Sequence, residues 1–305
     1  MPTIAKMAAF LYGVTLITNV IAGRKSETEI PDVPDANATV VRFREAADGQ
    51  APLIMLHGGG GTIYDLWIMK GKFVSGFWAI QITPDTPLHS LTAQSDFYYK
   101  MIREQQPHGP YRIGGYSGST ILAIRIAMLM EAAGETVSQL ALVDHVPTVF
   151  IEPSLPIHDR QAYTEKSIHG LADMFRRDTL PRRIKLAKEV VDALYGRPST
   201  ELGKMLADMF TVTSGLILDF IASLKEGTED SMMEALVRWM KQVNAPVTLY
   251  MAQDGARVSL PQTEEWKDMG IHQVYPDAEV VTVEGNHFNI VSNEIVCEHL
   301  QKGYL

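Results

Sequence analysis

Residues 111–119, YRIGGYSGS, constrain this chain more than any other stretch. An apolar run leads into Gly114-Gly115-Tyr116-Ser117-Gly118-Ser119, and a second apolar run (118–133) leads out and stops at Gly134. The first run has the length and continuity of a strand buried on both faces. The second is apolar nearly all round, as a buried helix is, and Gly134 is a natural helix stop. A serine on a sharp strand-to-helix turn has its backbone strained and its hydroxyl raised above the sheet, which is the setting of a nucleophile elbow. Small residues two places before and after the serine let strand and helix approach closely. Gly115 meets that need; Ser119 stands where glycine is usual. The pattern favours Ser117 as a nucleophile over an ordinary tight turn.

The same rhythm repeats along the body. Short apolar runs at 39–45, 52–56, 78–82, 140–144, 246–252 and 278–284 read as further strands, with helical patterns between them. Residues 91–106 put Leu91, Phe97, Tyr98, Met101 and Ile102 on one face and stop before Pro107. Repeated strand–helix–strand order implies an α/β fold with a mostly parallel, doubly wound sheet. Between about 147 and 243 the rhythm breaks into helical, Met- and Leu-rich sequence, too long for a loop, and is expected to roof the strand ends as a lid. The expected organisation is an N-terminal apolar segment and proline-spaced linker (1–37) followed by one catalytic domain (38–305). The apolar run 7–23 is at the lower limit for a membrane span and is read as a helix docked on the body or left over from a longer assembly, rather than a signal or anchor.

Other residues supply the remaining parts of a serine hydrolase. His57 opens a run of four glycines, 58–61, directly after a strand. Such a loop can aim backbone N–H groups at a developing oxyanion, and the expected pair is the N–H of Gly118 with that of Gly59. The G-K-[ST] ending of a phosphate-binding loop is absent. Of nine histidines, His287 in VEGNHFNIV follows a strand and precedes the last helix, where the order Ser…Asp…His puts the base. His57 is read as structural, and His145, His158 and His169 as surface or packing residues. Two aspartates end strands before His287, Asp144 and Asp254, and either could orient it.

Composition narrows the partners. A net charge of −9 and a pI near 5.5 argue against nucleic acid. The single cysteine, Cys297, permits no intrachain disulfide, fits a cytoplasmic setting and is read as a small packed hydrophobe. No HExxH or paired CxxC is present, so neither metal nor cofactor is expected.

Residues 52–146 and 278–292 resemble the thioesterase domains of fatty acid, polyketide and nonribosomal peptide synthases, which have the α/β-hydrolase fold. QPHGPYRIGGYS (106–117) is the most telling phrase, and VEGNHFNIV is similar to the family's histidine segment. The resemblance implies Ser117 as nucleophile, His287 as base and Asp144 as acid, with Asp254 matching the position used by stand-alone editing relatives. It implies release of an acyl chain, by hydrolysis or cyclisation, from a carrier-protein or coenzyme A thioester, and an acyl carrier protein with a phosphopantetheine arm as partner. Ser119 for glycine and Gly58 for a frequent proline are the departures. Rival readings are a carboxylesterase or lipase on a small ester, and a non-catalytic binding protein. Met209, Phe210 and Phe220 are expected in an acyl channel, and Arg182 and Arg183, in RRDTLPRRIKLAK (176–188), at a carrier-docking patch.

Overall fold

The computed structural model describes residues 35–304, apart from positions 36, 48 and 228 and parts of 157–180. The apolar run 7–23, His158, Arg176 and Arg177 lie outside the described residues.

Among the described residues seven strands form one sheet: β1 (Val40–Arg44), β2 (Leu53–Leu56), β3 (Phe77–Ile80), β4 (Tyr111–Tyr116), β5 (Val137–Val143), β6 (Val247–Asp254) and β7 (Glu279–Asn286). Their order is β1-β3-β2-β4-β5-β6-β7. Only β1 runs antiparallel, on β3; every other pair is parallel. The chain goes from β2 out to β3 and returns on the other side of β2 as β4, so the winding reverses beside β2. A crevice opens at the carboxyl ends of strands at such a reversal, and the loops after β2 and β4 meet there.

Among the described residues the longer helices are α1 (Leu91–Gln105), α2 (Thr120–Ala132), α3 (Pro181–Leu194), α4 (Glu201–Ser223), α5 (Met232–Met240) and α6 (Glu294–Gln301). The period-two alternation of the strands sorts the core into two layers. Ile54, Leu56, Ile113, Leu140 and Leu249 face α1, α2 and α5. Leu53, Met55, Ala141, Val143 and Tyr250 face the segment 63–73 and α6, where Cys297 is packed. Burial pushes the Cys297 thiol up to about 11, so it is inert as a nucleophile.

Two local expectations shift. The buried stripe of α1 is Leu91, Gln94, Ser95, Tyr98 and Ile102, with Phe97 and Met101 half-buried at its flanks. Polar Gln94 and Ser95 face inward because each has a partner there: Tyr98 for Gln94, Arg125 for Ser95. The helix after the elbow begins at Thr120, preceded by a 3₁₀ turn over Ser117–Ser119. Within the insertion no strand occurs among the described residues. Its last helix, α5, buries Leu236 and Met240 in the layer that covers the sheet, while α4 crosses toward the strand ends.

Candidate active site

Ser117 follows β4 with φ 57°, the left-handed region that a β-carbon normally avoids. Neighbouring glycines make that turn possible. A side chain on Gly115 would stand 2.6 Å from the Ser119 carbonyl oxygen, and one on Gly114 would strike the sulfur of Met55. Strand and helix therefore pack with only hydrogens between them, and the Ser117 hydroxyl, half-buried, projects from the turn.

His287 follows β7 and is 5% exposed. Its Nδ1 is 2.7 Å from Asp144 Oδ2 and its Nε2 is 2.9 Å from Ser117 Oγ. A carboxylate only accepts hydrogen bonds, so Nδ1 carries the proton and Nε2 is left to accept from the Ser117 hydroxyl. That row can take up the hydroxyl proton as the oxygen attacks a carbonyl carbon. The ring is held from below by Tyr116. The two rings stack with centroids 5.2 Å apart, and the Tyr116 hydroxyl donates to the His287 carbonyl at 2.7 Å.

Asp144 is fully buried with φ 52° at the end of β5. Its Oδ1 accepts from the Ala252 amide at 2.8 Å and its Oδ2 from the Ala256 amide at 3.0 Å. A side chain on Gly255 would stand 2.3 Å from Oδ2, so the turn after β6 closes round the carboxylate only with glycine there. Asp254, the other candidate acid, is exposed at the end of β6. Its strand end supplies amides that hold Asp144 rather than the carboxylate that meets His287.

The loop 57–61 lies beside the elbow. His57 is 2% exposed. Its Nδ1 is 2.7 Å from the Gly58 carbonyl, an acceptor, so Nδ1 carries the proton and Nε2 accepts from the Tyr98 hydroxyl at 2.9 Å. Gln94 Nε2 in turn donates to that hydroxyl at 3.2 Å. Burial pushes the His57 imidazole down to about 4, so it stays neutral and structural. Ser119 Oγ completes the cluster 3.2 Å from His57 Nδ1. With Ser119 only 3% exposed, the serine in the usual glycine place is a buried partner of His57 rather than a second nucleophile. Gly58 is explained as well, since any side chain there would press on the Tyr116 ring at 3.0 Å.

Helix α4 closes the site from above. Thr213 Oγ1 lies 3.2 Å from the Gly59 carbonyl and within 3.2 Å of the Met209 and Phe210 carbonyls of its own helix, so its one proton has a choice of acceptors. A side chain on Gly59 would meet Phe210 at 3.9 Å, and one on Gly118 would meet Ile217 and Phe150 at 3.6 Å. Phe210 thus stands at the site. Phe220 instead packs edge-on against Trp239, centroids 5.0 Å apart, and Met209 is half-buried on α4. Arg182 and Arg183 fall on α3, their side chains outside the described residues. Ile217 belongs to the apolar run of the insertion expected to line an acyl channel; Tyr116, Gly255 and Phe150 are supports that no pattern singled out, although Gly255 stands in an Asp-Gly turn, itself a readable signal. No cluster of metal-ligating side chains occurs among the described residues. No helix among them is long and apolar enough to cross a membrane.

Sheet, elbow and the Ser–His–Asp row are those of the α/β-hydrolase class. The thioesterase-domain family model matches residues 51–304, and the chain belongs to that family of hydrolases acting on thioesters. It is 31% identical over 271 residues to the highly reducing polyketide synthase stpks1 of Strobilurus tenacellus, an alignment covering 83% of this chain and 10% of that protein. It is 27% identical over 151 residues to the nonribosomal peptide synthetase acyN of Ascocoryne sarcoides, covering 45% and 15%. The chain thus spans a small fraction of the length of either relative. Its fold matches the NocB thioesterase domain solved in covalent complex with a fluorophosphonate nocardicin G analogue, with TM-score 0.56, 17% identity and coverage of 87% and 99%. It also matches YbtT, a type II thioesterase from the yersiniabactin pathway, with TM-score 0.56, 14% identity and coverage of 88% and 98%.

Proposed function

We propose that this chain transfers an acyl group from a carrier-protein phosphopantetheine or coenzyme A thioester to Ser117, and then releases it to water or to a hydroxyl or amine of the acyl chain itself. One observation carries the reading: the unbroken row Asp144–His287–Ser117, at 2.7 and 2.9 Å. His287 takes the Ser117 proton as Oγ attacks the thioester carbon. The resulting oxyanion is stabilised by the N–H groups of Gly118 and Gly59. Collapse expels the thiolate, which takes the proton from His287 and leaves an acyl-serine ester. His287 then deprotonates the incoming water, hydroxyl or amine, and Ser117 leaves with its proton restored. Asp144 stays ionised throughout, fixing the tautomer of His287 and stabilising its charged form.

In this reading residues 38–305 are the catalytic domain, 147–243 its helical lid and 1–37 a separate segment. Phe210, with its neighbour Met209 on α4, belongs to the acyl-facing wall, whereas Phe220 packs on Trp239. Arg182 and Arg183 steer an acidic carrier protein to the entrance. The buried, lone Cys297 is in keeping with a cytoplasmic setting. The products would be polyketides or nonribosomal peptides, in line with the synthases named above.

A fluorophosphonate probe tests the nucleophile. Labelling should map to Ser117 and disappear in Ser117→Ala, whose thioester turnover should fall on the order of 10⁶-fold. Near-native turnover by the alanine variant would refute the assignment.

A further inference from the structure

His145, which the catalytic row does not use, sits at the junction between that row and the lid. It directly follows Asp144 and is 8% exposed. Its ring lies 4.5 Å from the ring of Phe150, tilted by 46°. Phe150 in turn reaches within 3.6 Å of the place a side chain on Gly118 would occupy, where Ile217 of α4 also arrives. His145 therefore stands in the wall that separates Ser117 and His287 from the roof. Its chain neighbours are the apolar Val146 and the carboxylate of Asp144, which is taken up by His287 and the amides of Ala252 and Ala256. Yet its Nδ1 is buried with no hydrogen-bond partner among the described residues. Phenylalanine or leucine would fill the same space without stranding a polar atom, and a stranded polar atom is destabilising unless something bonds it.

We propose that His145 is a specificity-determining residue that hydrogen-bonds a hydroxyl group of the acyl chain, so that this thioesterase prefers hydroxyacyl to plain alkanoyl thioesters. The inference rests on Ser117 being the acylated nucleophile. Burial and His287 push the imidazole down to about 3, so it is neutral and offers one donor and one acceptor nitrogen. A hydroxyl both donates and accepts. It can therefore bond Nδ1 whichever nitrogen carries the proton, whereas a ketone oxygen or an ammonium group fits one tautomer only. A site built to bond a hydroxyl rejects the analogue that lacks it, because binding the analogue leaves the nitrogen unpaired in the closed complex.

The test compares wild type, His145→Phe and His145→Gln on N-acetylcysteamine thioesters of one chain length. One is plain; the others carry a hydroxyl at the third, fifth or seventh carbon. The quantity read is the ratio of kcat/KM for a hydroxyacyl substrate to that for the plain one. The ratio should exceed one in wild type at one or more positions. In His145→Phe it should fall by roughly tenfold at that position, the effect of one hydrogen bond. His145→Gln, which can still bond a hydroxyl, should restore part of it and also serves if the phenylalanine variant does not fold. Ratios equal in all three proteins would overturn the proposal, even if both rates fell together as a packing role would make them. Fluorophosphonate labelling of Ser117 separates the two failures. Labelled enzyme with unchanged ratios sinks the role of His145 alone, while absence of labelling in wild type sinks the nucleophile and this inference with it.

Discussion

The ends of β4, β5, β6 and β7 and the helix α4 above them are built on different terms. At the strand ends each candidate reactive group is fixed by the sheet and the turns that leave it. Asp144 is held by the amides of Ala252 and Ala256, Ser117 by its own left-handed turn, and His287 by the hydroxyl and ring of Tyr116. Overhead, α4 touches the site through side chains, Phe210, Thr213 and Ile217, and Thr213 can exchange Gly59 for its own helix as acceptor. Positioning to a fraction of an ångström is what proton transfer requires, and only the sheet supplies it. Shape and polarity toward an acyl chain can be set by side chains that vary without disturbing the row beneath. In the proposed reading, the sheet sets the rate and the roof the selectivity.

The sharpest way to break the contrast is at the acid. Asp144→Asn should lower kcat by roughly 10⁴-fold, because an amide favours the wrong imidazole tautomer. Asp254→Asn, exposed and away from Nδ1, should stay within a few-fold of wild type. Steady-state kinetics on one small thioester decides it. The reverse ranking would move the acid to the end of β6 and undo the account of the turn at Gly255.

A second effect concerns stability in the body. His57 is pushed down to about 4 in the folded state from about 6.5 when exposed. Between those values the unfolded chain binds a proton that the folded one refuses, so stability is intact above pH 6.5 and falls as the pH drops toward 4. The loss from this residue should be about 3 kcal/mol. His57→Gln should remove that part of the acid sensitivity, read as denaturant midpoints at pH 7 and pH 4.5. An unchanged pH slope would mean that the buried cluster around His57 does not hold the loop as described.

Smaller effects belong to the roof. Phe210→Ala should shift preference between medium and long acyl thioesters by about tenfold, the scale of one or two methylenes in an apolar pocket. Its melting temperature should change less than that of Ile113→Ala in the core. A loss of stability without a change of preference would make Phe210 ordinary packing. Smallest of all, charge reversal at Arg182 and Arg183 should lower the ratio of carrier-bound to small-thioester turnover by a few-fold and flatten its salt dependence. If the two substrates lost rate equally, the substitutions would have damaged the lid rather than a docking patch.

The same division governs how much was legible in the residues. The central strands can be read from apolar runs, because strands buried on both faces write an uninterrupted signal, while the outer β1 and β7 alternate with exposed positions and are legible through their β-rich composition. Ser117 and His287, the nucleophile and base of the proposed reading, are legible as candidates because each sits in local grammar: a turn between strand and helix, and a place after the last strand. Asp144 and Asp254 could not be separated by pattern, since both end strands. What separates them is where the chain folds the 252–256 turn, a long-range contact that no local period records. The resemblance favoured Asp144, and the geometry accounts for it through Gly255. The lid gave helices without a destination. Phe210 and Phe220 lie on one apolar stripe of α4, yet one reaches Gly59 and the other Trp239, because a stripe says which face is buried and not against what. Ser119 looked like a defect in the elbow and is instead the partner of His57.

The central claim is that the acyl group passes through Ser117. Mixing enzyme with an acyl thioester, quenching within the first turnover and mapping the adduct by peptide mass spectrometry tests it directly. The acyl mass should appear on the peptide carrying residues 113–125 and fragment to Ser117, and it should be absent in Ser117→Ala. An adduct on Ser119 or elsewhere, or full turnover with no covalent intermediate in wild type and in the alanine variant alike, would contradict it.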